Sequence, residues 1–475
     1  MALVAIAASA QERFQRRPCI RFSADARAKT RSLPDTNKDW DPTRTYRQVV
    51  LLVEYADSAF SMDDPKTYYD QLLNLTASNT RGGVGCAADY FRDQSNGLFN
   101  LQFDVYGPIK VSQSAKQSGS GDNYGEAACL EAVKKSVDSL HIDYRPYDWN
   151  GNGEVNQVVL IVSSYCGNVG GSEFEKFLWP NTYYFYSNKV KVGDNLYVNQ
   201  YSVSAEKFKG NIPCGIGTIC HEYSHCLGLP DLYPVDHSIF SMVDEWDLMD
   251  GGNYTCWGWN PPNYSALEKH LLGWTTIDEI TAPCQITDMK PVADGGKAYK
   301  MTKKGNEFYL LENRQQTGWD KGLPGSGLTI YHVNYSDYAW KTNDVNVRNN
   351  YCYTLLHADG LDYDAWDAHI KATGMSEYAD SANHMNRRHL STSAYPFVTD
   401  TLEVRKCDET PLLLSDIQLS DEGAISFIVE HGTGVETMVG VESDDDNWYD
   451  LQGRKLATKP TQKGLYIHNH KKVVK

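Results

Sequence analysis

Several common features are missing from this 475-residue chain. No stretch approaches the roughly 20 apolar residues that a bilayer-spanning helix needs. A basic excess is missing too: 45 lysines and arginines face 61 acids, for a net charge of −16. That balance speaks against nucleic acid or an anionic membrane surface as the main partner. The 11 cysteines include no CxxC pair, so the tight framework that staples small secreted domains is excluded. Their odd number leaves at least one without an intramolecular partner under oxidising conditions. Buried thiols with one or two bridges are the expectation, with Cys220 and Cys226 as packing residues. No internal repeat appears.

What is present suits a large globular protein. Hydrophobic residues make up 41% and charged residues 22%, enough for a sizeable core over two or three domains. The 31 tyrosines fit half-buried strands and wet grooves, but name no activity. Residues 1–10, MALVAIAASA, end in the small-residue pattern of a cleavage site and read as a signal-peptide remnant. Export is therefore expected. Residues 11–45 form a basic, loop-like leader containing Cys19.

Hydrophobic periodicity then marks a strand at RQVVLLVEYAD, helices at DPKTYYDQLLNLT and VGCAADYFRDQSNG, and a strand at LFNLQFDVYGPIKV. A helix at GEAACLEAVKKSVDSL follows, with strands at VNQVVLIVSS and LYVNQYSVSAE. The mixture predicts an α/β (α+β) domain over 46–277. The segment LYVNQYSVSAE is expected at a sheet edge, where an extended peptide could pair with it. Beyond it, short strands separated by turns predict an accessory all-β, sandwich-like domain over 278–431. Residues 432–475 combine a Gly- and Asp-rich linker with a small β C-terminal segment.

The chemistry concentrates in HEYSHCLGLPD, residues 221–231. On a helix, His221 and His225 lie four residues apart on one face and can share a metal ion, with Glu222 beside them to act on water. Gly228 can take the left-handed backbone that ends a helix. Asp231 then returns to the metal as third ligand. Two imidazoles and one carboxylate leave a fourth position open, the pattern of catalytic rather than structural zinc. By composition, HExxH arises by chance in about 2 chains in 100, and the added Gly and Asp lower this to roughly 1 in 10,000. A pair of unconnected core histidines explains neither addition. Downstream, Met249 in WDLMDGG sits before a Gly-Gly turn. Alone it would read as a core methionine.

These segments carry a resemblance. RQVVLLVEYAD, DYFRDQSNGLFNLQFDVYGP, GTICHEYSHCLGLPDLY, WDLMDGGNY, PPNYSALEKHLLGW and NEFYLLENRQQTGWDKGLPGSGLTIYHVN occur in order. Together they resemble the immune inhibitor A-like secreted bacterial metalloproteases, which are metzincin zinc endopeptidases. The resemblance implies zinc on His221 and His225, catalysis by Glu222, Asp231 as the aspartate variant of the third ligand and Met249 as the methionine of a turn beneath the metal. It also implies a β-rich region after the catalytic domain. Many relatives carry a long N-terminal propeptide, which is not expected here.

The function expected is a secreted, zinc-dependent endopeptidase of a bacterium, extracellular or at the cell surface. In it a metal-activated water attacks the peptide carbonyl and Glu222 is the general base. Tyr254 is a candidate oxyanion donor. The partners would be protein or peptide substrates. The rivals are an inactive protein that retains the protease fold, and a surface protein binding through its β domain.

Other signals are weaker. Asp148, Asn150, Asn152 and Asn156 have the spacing of a calcium loop around Gly153, although the composition favours an Asx-rich turn. Cys19 invites comparison with a latency thiol, but reads more simply as a disulfide partner or a free thiol. His237 reads as a solvated histidine and His332 as a satisfied one. The segment WYDLQGRKL…KGLYIHNHKKVVK resembles the tails of proteins exported by the type-nine route of some Gram-negative bacteria, implying contact with secretion machinery.

Overall fold

The computed structural model describes residues 40–361 apart from 79–80, 117–124, 170–171, 237–240 and 348–349. It further describes Ala372, 390–404, 412–431 and parts of 448–474. The chain forms two compact units, residues 1–431 and 432–475.

The first unit begins with a mixed sheet. Its strands are β1 (Thr45–Glu54), β2 (Asn100–Lys110), β3 (Val158–Tyr165), β4 (Asn181–Tyr184), β5 (Gln200–Phe208) and the two-residue β6 (Ile212–Pro213). Their order is β2-β1-β3-β5-β4, with β6 also on β5. β1, β2, β3 and β5 run parallel, while β4 pairs antiparallel with β5. The run Val49–Val53 in β1 is fully buried, as a strand covered on both faces must be.

Helices supply the cover. Helix α1 (Pro65–Asn74) starts at Asp64, whose side chain accepts from the Thr67 N–H at 3.0 Å, with proline at its first position. Helix α2 (Ala87–Gln94) is capped reciprocally by Cys86 and Asp89. Both pack with Val50 and Leu52 on one face, while α3 (Glu126–Leu140) packs with Val49, Leu51 and Val53 on the other. Helix α4 (Gly217–Cys226), which carries the HExxH motif, joins α1 and α2, and all ten of its residues are buried.

The expected edge strand is corrected here. LYVNQYSVSAE divides into Leu196–Val198, which belongs to a small separate sheet, and β5, which lies inside the main sheet between β3 and β4. The edge on that side is β4, four residues long, with β6 at the far end of β5. The alternating polar residues of β5 suggest solvent, yet Gln200, Ser202, Ser204 and Glu206 are all buried.

After α5 (Ala266–Leu271) come two further sheets. One comprises β7 (Ile277–Glu279), β9 (Ala298–Lys304), β10 (Glu307–Arg314), β11 (Gly327–Asn334) and β12 (Tyr353–Leu356). The other comprises β8 (Cys284–Met289), β13 (Leu402–Val404), β14 (Leu412–Leu419) and β15 (Ile425–His431). Leu311, Leu328 and Ile330 from the first meet Leu414, Ile425 and Phe427 from the second in a shared apolar core. The opposite face of the first sheet presents Leu310, Tyr331, Val333 and Tyr353 to the cluster that holds Ile219 and Tyr223 of α4. A single hydrophobic core therefore runs across residue 277. Removing one of its buried leucine side chains costs about 2–5 kcal/mol.

In residues 432–475, β16 (Trp448–Tyr449), β17 (Leu465–His468) and β18 (Lys471–Val474) form an antiparallel sheet. Within the described residues, no helix is long and apolar enough to cross a membrane.

Candidate metal centre

Helix α4 reaches its position because its start is made of glycine. A Cβ on Gly217 would lie 2.0 Å from the Asn253 carbonyl oxygen, so the backbone rests directly on residues 253–258. The helix ends at Leu227. Gly228 then takes φ +102°, a left-handed conformation that glycine adopts without steric cost. Its N–H donates to the His225 carbonyl, and that of Leu229 to the Ser224 carbonyl. The turn brings Asp231 back beneath the helix.

His221 Nε2 lies 3.2 Å and His225 Nε2 3.3 Å from Asp231 Oδ1. The three ligand-type atoms fall within 4.8 Å of one another, and all three residues are buried. The other imidazole nitrogens fix the tautomers: His221 Nδ1 donates to the Leu248 carbonyl and His225 Nδ1 to the Leu229 carbonyl, each at 2.8 Å. With Nδ1 protonated, both Nε2 atoms offer lone pairs. Two such lone pairs aimed at a carboxylate oxygen repel unless positive charge sits among them. His225 Nε2 has no aligned hydrogen-bond partner although it is buried. The donor set fits a divalent cation.

The electrostatics agree. Burial alone would lower the His221 pKa, but the hydrogen bond to Asp231 and the charges of Glu222 and Asp231 raise it to about 9. Burial would raise the Asp231 carboxyl, but His225 and His221 hold it well below the usual carboxylate range. The cluster draws in a positive charge, whether proton or metal.

Supporting groups come from elsewhere in the chain. Asn343, just after α6 (Asp337–Thr342), grips Asp231 twice. Its Nδ2 donates to Asp231 Oδ2 at 2.7 Å, and its Oδ1 accepts from the Asp231 N–H at 2.6 Å. Thr182 Oγ1, on β4, lies 2.7 Å from the Glu222 carbonyl and 3.2 Å from its Oε2. Met249 is fully buried in the core, its N–H donating to Asp247 Oδ1 and its carbonyl accepting from Leu232. Leu248, not Met249, makes the polar contact with a histidine. Asn343, Thr182 and the Leu248 carbonyl have no signature in the sequence around the motif.

Residues 42–275 match the profile of the immune inhibitor A peptidase M6 catalytic domain. This stretch, just under half of the chain, carries the catalytic domain of that family. It is 25% identical over 292 residues to "Immune inhibitor A" of Bacillus thuringiensis subsp. alesti, covering 50% of this chain and 42% of the relative. It is 22% identical over 263 residues to "Pre-pro-metalloprotease PrtV" of Vibrio cholerae serotype O1, covering 49% and 28%. The chain thus spans less than half the length of either curated relative. The matched region contains the histidines, Glu222, Asp231 and Thr182. Asn343 lies outside it.

Asn168 Nδ2 donates to the Tyr254 hydroxyl, and the Tyr254 ring meets Phe208 edge-on. In the loop from Asp148, the Asx oxygens take the loop's own N–H groups. Asp148 accepts from Asn152 and Gly153, Asn150 from Asn152, Asn152 from Glu154 and Asn156 from Trp149. That is the Asx-turn arrangement. His332 pairs with Glu307 at 2.8 Å. Residues 1–10, Cys19 and His237 lie outside the described residues.

Proposed function

We propose that this chain is a zinc-dependent endopeptidase acting on protein or peptide substrates outside the bacterial cell. The observation that carries this reading is the convergence of two tautomer-locked histidines and Asp231, with Glu222 on the same helix. Three protein ligands with a position left open suit catalytic zinc. When bound, the ion would supply Lewis acidity toward a carbonyl and lower the pKa of a neighbouring water toward 7.

The chain's own residues supply the rest. Leu248 and Leu229 keep both imidazoles in the ligating tautomer, and Asn343 aims Asp231. The Glu222 carboxylate takes the proton of the attacking water and returns it to the leaving amine. Thr182 steadies Glu222 from β4, the strand alongside which an extended peptide would lie. Tyr254 is proposed to donate to the developing oxyanion, in which case Tyr254→Phe lowers kcat with little effect on KM. Export rests on the N-terminal pattern and on the tail's resemblance to type-nine sorting segments. Weak calcium binding by the Asp148 loop remains a separate proposal, tested by a melting shift in millimolar calcium.

The test compares wild type with Glu222→Ala. The variant should keep one equivalent of zinc and lose nearly all hydrolysis of denatured protein. Hydrolysis by the wild type should stop with chelator and return with zinc. Full activity of a pure, zinc-replete Glu222→Ala protein would overturn the assignment.

A further inference from the structure

Two cysteines flank the end of β5. Cys166, the residue after β3, donates its N–H to the Lys207 carbonyl at 2.8 Å. Cys214, just past β6, donates its N–H to the Glu206 carbonyl at 2.9 Å. Neighbouring carbonyls of a strand point in opposite directions, so the two residues reach β5 from its two sides. Their side chains meet with Sγ atoms 3.6 Å apart. Both are buried thiols.

We propose that Cys166 and Cys214 form a disulfide when the chain folds in an oxidising compartment. The bond closes a loop between residues 48 apart in sequence, which holds β4, β5 and the approach to α4. Forming it draws the sulfurs from contact to a bond of about 2.05 Å, by side-chain rotation and a small backbone shift. The oxidant is another disulfide, such as glutathione disulfide or a thiol oxidoreductase. One cysteine, as thiolate, attacks it and expels a thiolate. The second cysteine, as thiolate, then attacks the mixed disulfide, forming the Cys166–Cys214 bond and releasing the oxidant's other sulfur. The two cysteines lose two protons and two electrons, and the oxidant leaves as two thiols.

The position gives the bridge a purpose. Cys214 immediately precedes the glycines on which α4 rests against residues 253–258, where a Cβ on Gly215 would lie 2.3 Å from Gly258. Cys166 lies two residues before Asn168, which holds the Tyr254 hydroxyl. One bond thus ties the start of the metal-binding helix to the loop that fixes Tyr254. Burial pushes the folded Cys214 thiol well up, making it a poor nucleophile in the finished fold. Oxidation therefore belongs to folding, and the closed bond is then shielded from reductants. None of this requires the peptidase reading.

The test uses the full chain carrying Glu222→Ala to suppress self-digestion, refolded in a glutathione redox buffer and, separately, exported to a bacterial periplasm. Alkylation under denaturing conditions without reductant, then digestion, should yield a cross-linked peptide pair joining Cys166 to Cys214. Protein refolded in reductant, and so never oxidised, should melt about 5 °C lower. A protein also carrying Cys166→Ser and Cys214→Ser should show no such shift. Recovery of folded protein from either source with both cysteines fully alkylated, or with either one bonded to another cysteine, would overturn the proposal.

Discussion

Asn343 clasps Asp231 through both ends of its amide, donating to the carboxylate and accepting from the backbone N–H, across 112 residues of sequence. The clasp leaves Oδ1 for the two histidines. It also makes the chain beyond residue 277 part of the candidate metal centre rather than an appendage. Asn346 adds to the tie by donating to the Leu232 carbonyl at 2.7 Å.

Asn343→Ala should therefore weaken zinc binding by about 10–100-fold, the usual effect of losing a group that orients a metal ligand. Competition with a chromophoric chelator measures it. Deleting residues 278–431 should abolish high-affinity binding altogether. A deletion that kept wild-type zinc affinity would show that the clasp is irrelevant.

Thr182→Val removes the hydroxyl beside the Glu222 carboxylate while leaving the ligands alone. Zinc affinity should be unchanged, and kcat should fall by about 10-fold. Thr182→Ser, which keeps the hydroxyl, should restore most of kcat. A Thr182→Val protein with wild-type kcat would argue against Thr182 as a positioning group.

A buried carboxyl pair lies behind the Met249 turn. Asp247 Oδ2 and Glu268 Oε1 have no hydrogen-bond partner among the described residues, and the two buried carboxyls interact with each other. Burial pushes Glu268 up to about 7 and Asp247 well above its ordinary range. Raised acids hold protons more tightly in the fold than in the unfolded chain. The stability they contribute is complete below their ordinary values of 3.8 and 4.5, and the share due to Glu268 is lost as pH climbs through 7. Burial also lowers the neighbouring Lys269 to about 8, which acts only above that window. From pH 5 to 8 the wild type should lose on the order of 3 kcal/mol in urea unfolding. In Asp247→Asn the amide donates to Glu268 in place of the proton, so only the part of the slope due to Asp247 should vanish, whereas Glu268→Gln should remove the part due to Glu268.

Arg314 is buried and forks onto Asp320, with both contacts at 2.8 Å, and reaches the Asn263 carbonyl. Asp320→Ala strands that guanidinium in the core. The expected cost is about 3–5 kcal/mol, read as a lower denaturation midpoint. A change below about 1 kcal/mol would mean that other groups satisfy the arginine.

The motif was legible because a metal site built on one helix and its following turn is local: spacing alone predicts that His221, His225 and Asp231 meet. Buried strands such as β1 were legible from their apolar runs. Long-range support was not. Asn343 is one asparagine after a short helix, and Thr182 sits in NTYY, too short for periodicity to mark as a strand. The misplaced edge has a related cause. Alternating polar residues normally mean a solvent-facing strand, but in β5 that polar side is buried in the sheet's interior.

The place of Asn343 in the chain also orders events during synthesis. A ribosome makes the helix and its ligands first, and the amide that aims Asp231 emerges only after more than a hundred further residues. A nascent or prematurely terminated chain that stops short of residue 343 therefore carries both histidines and Asp231 without the amide that aims the carboxylate.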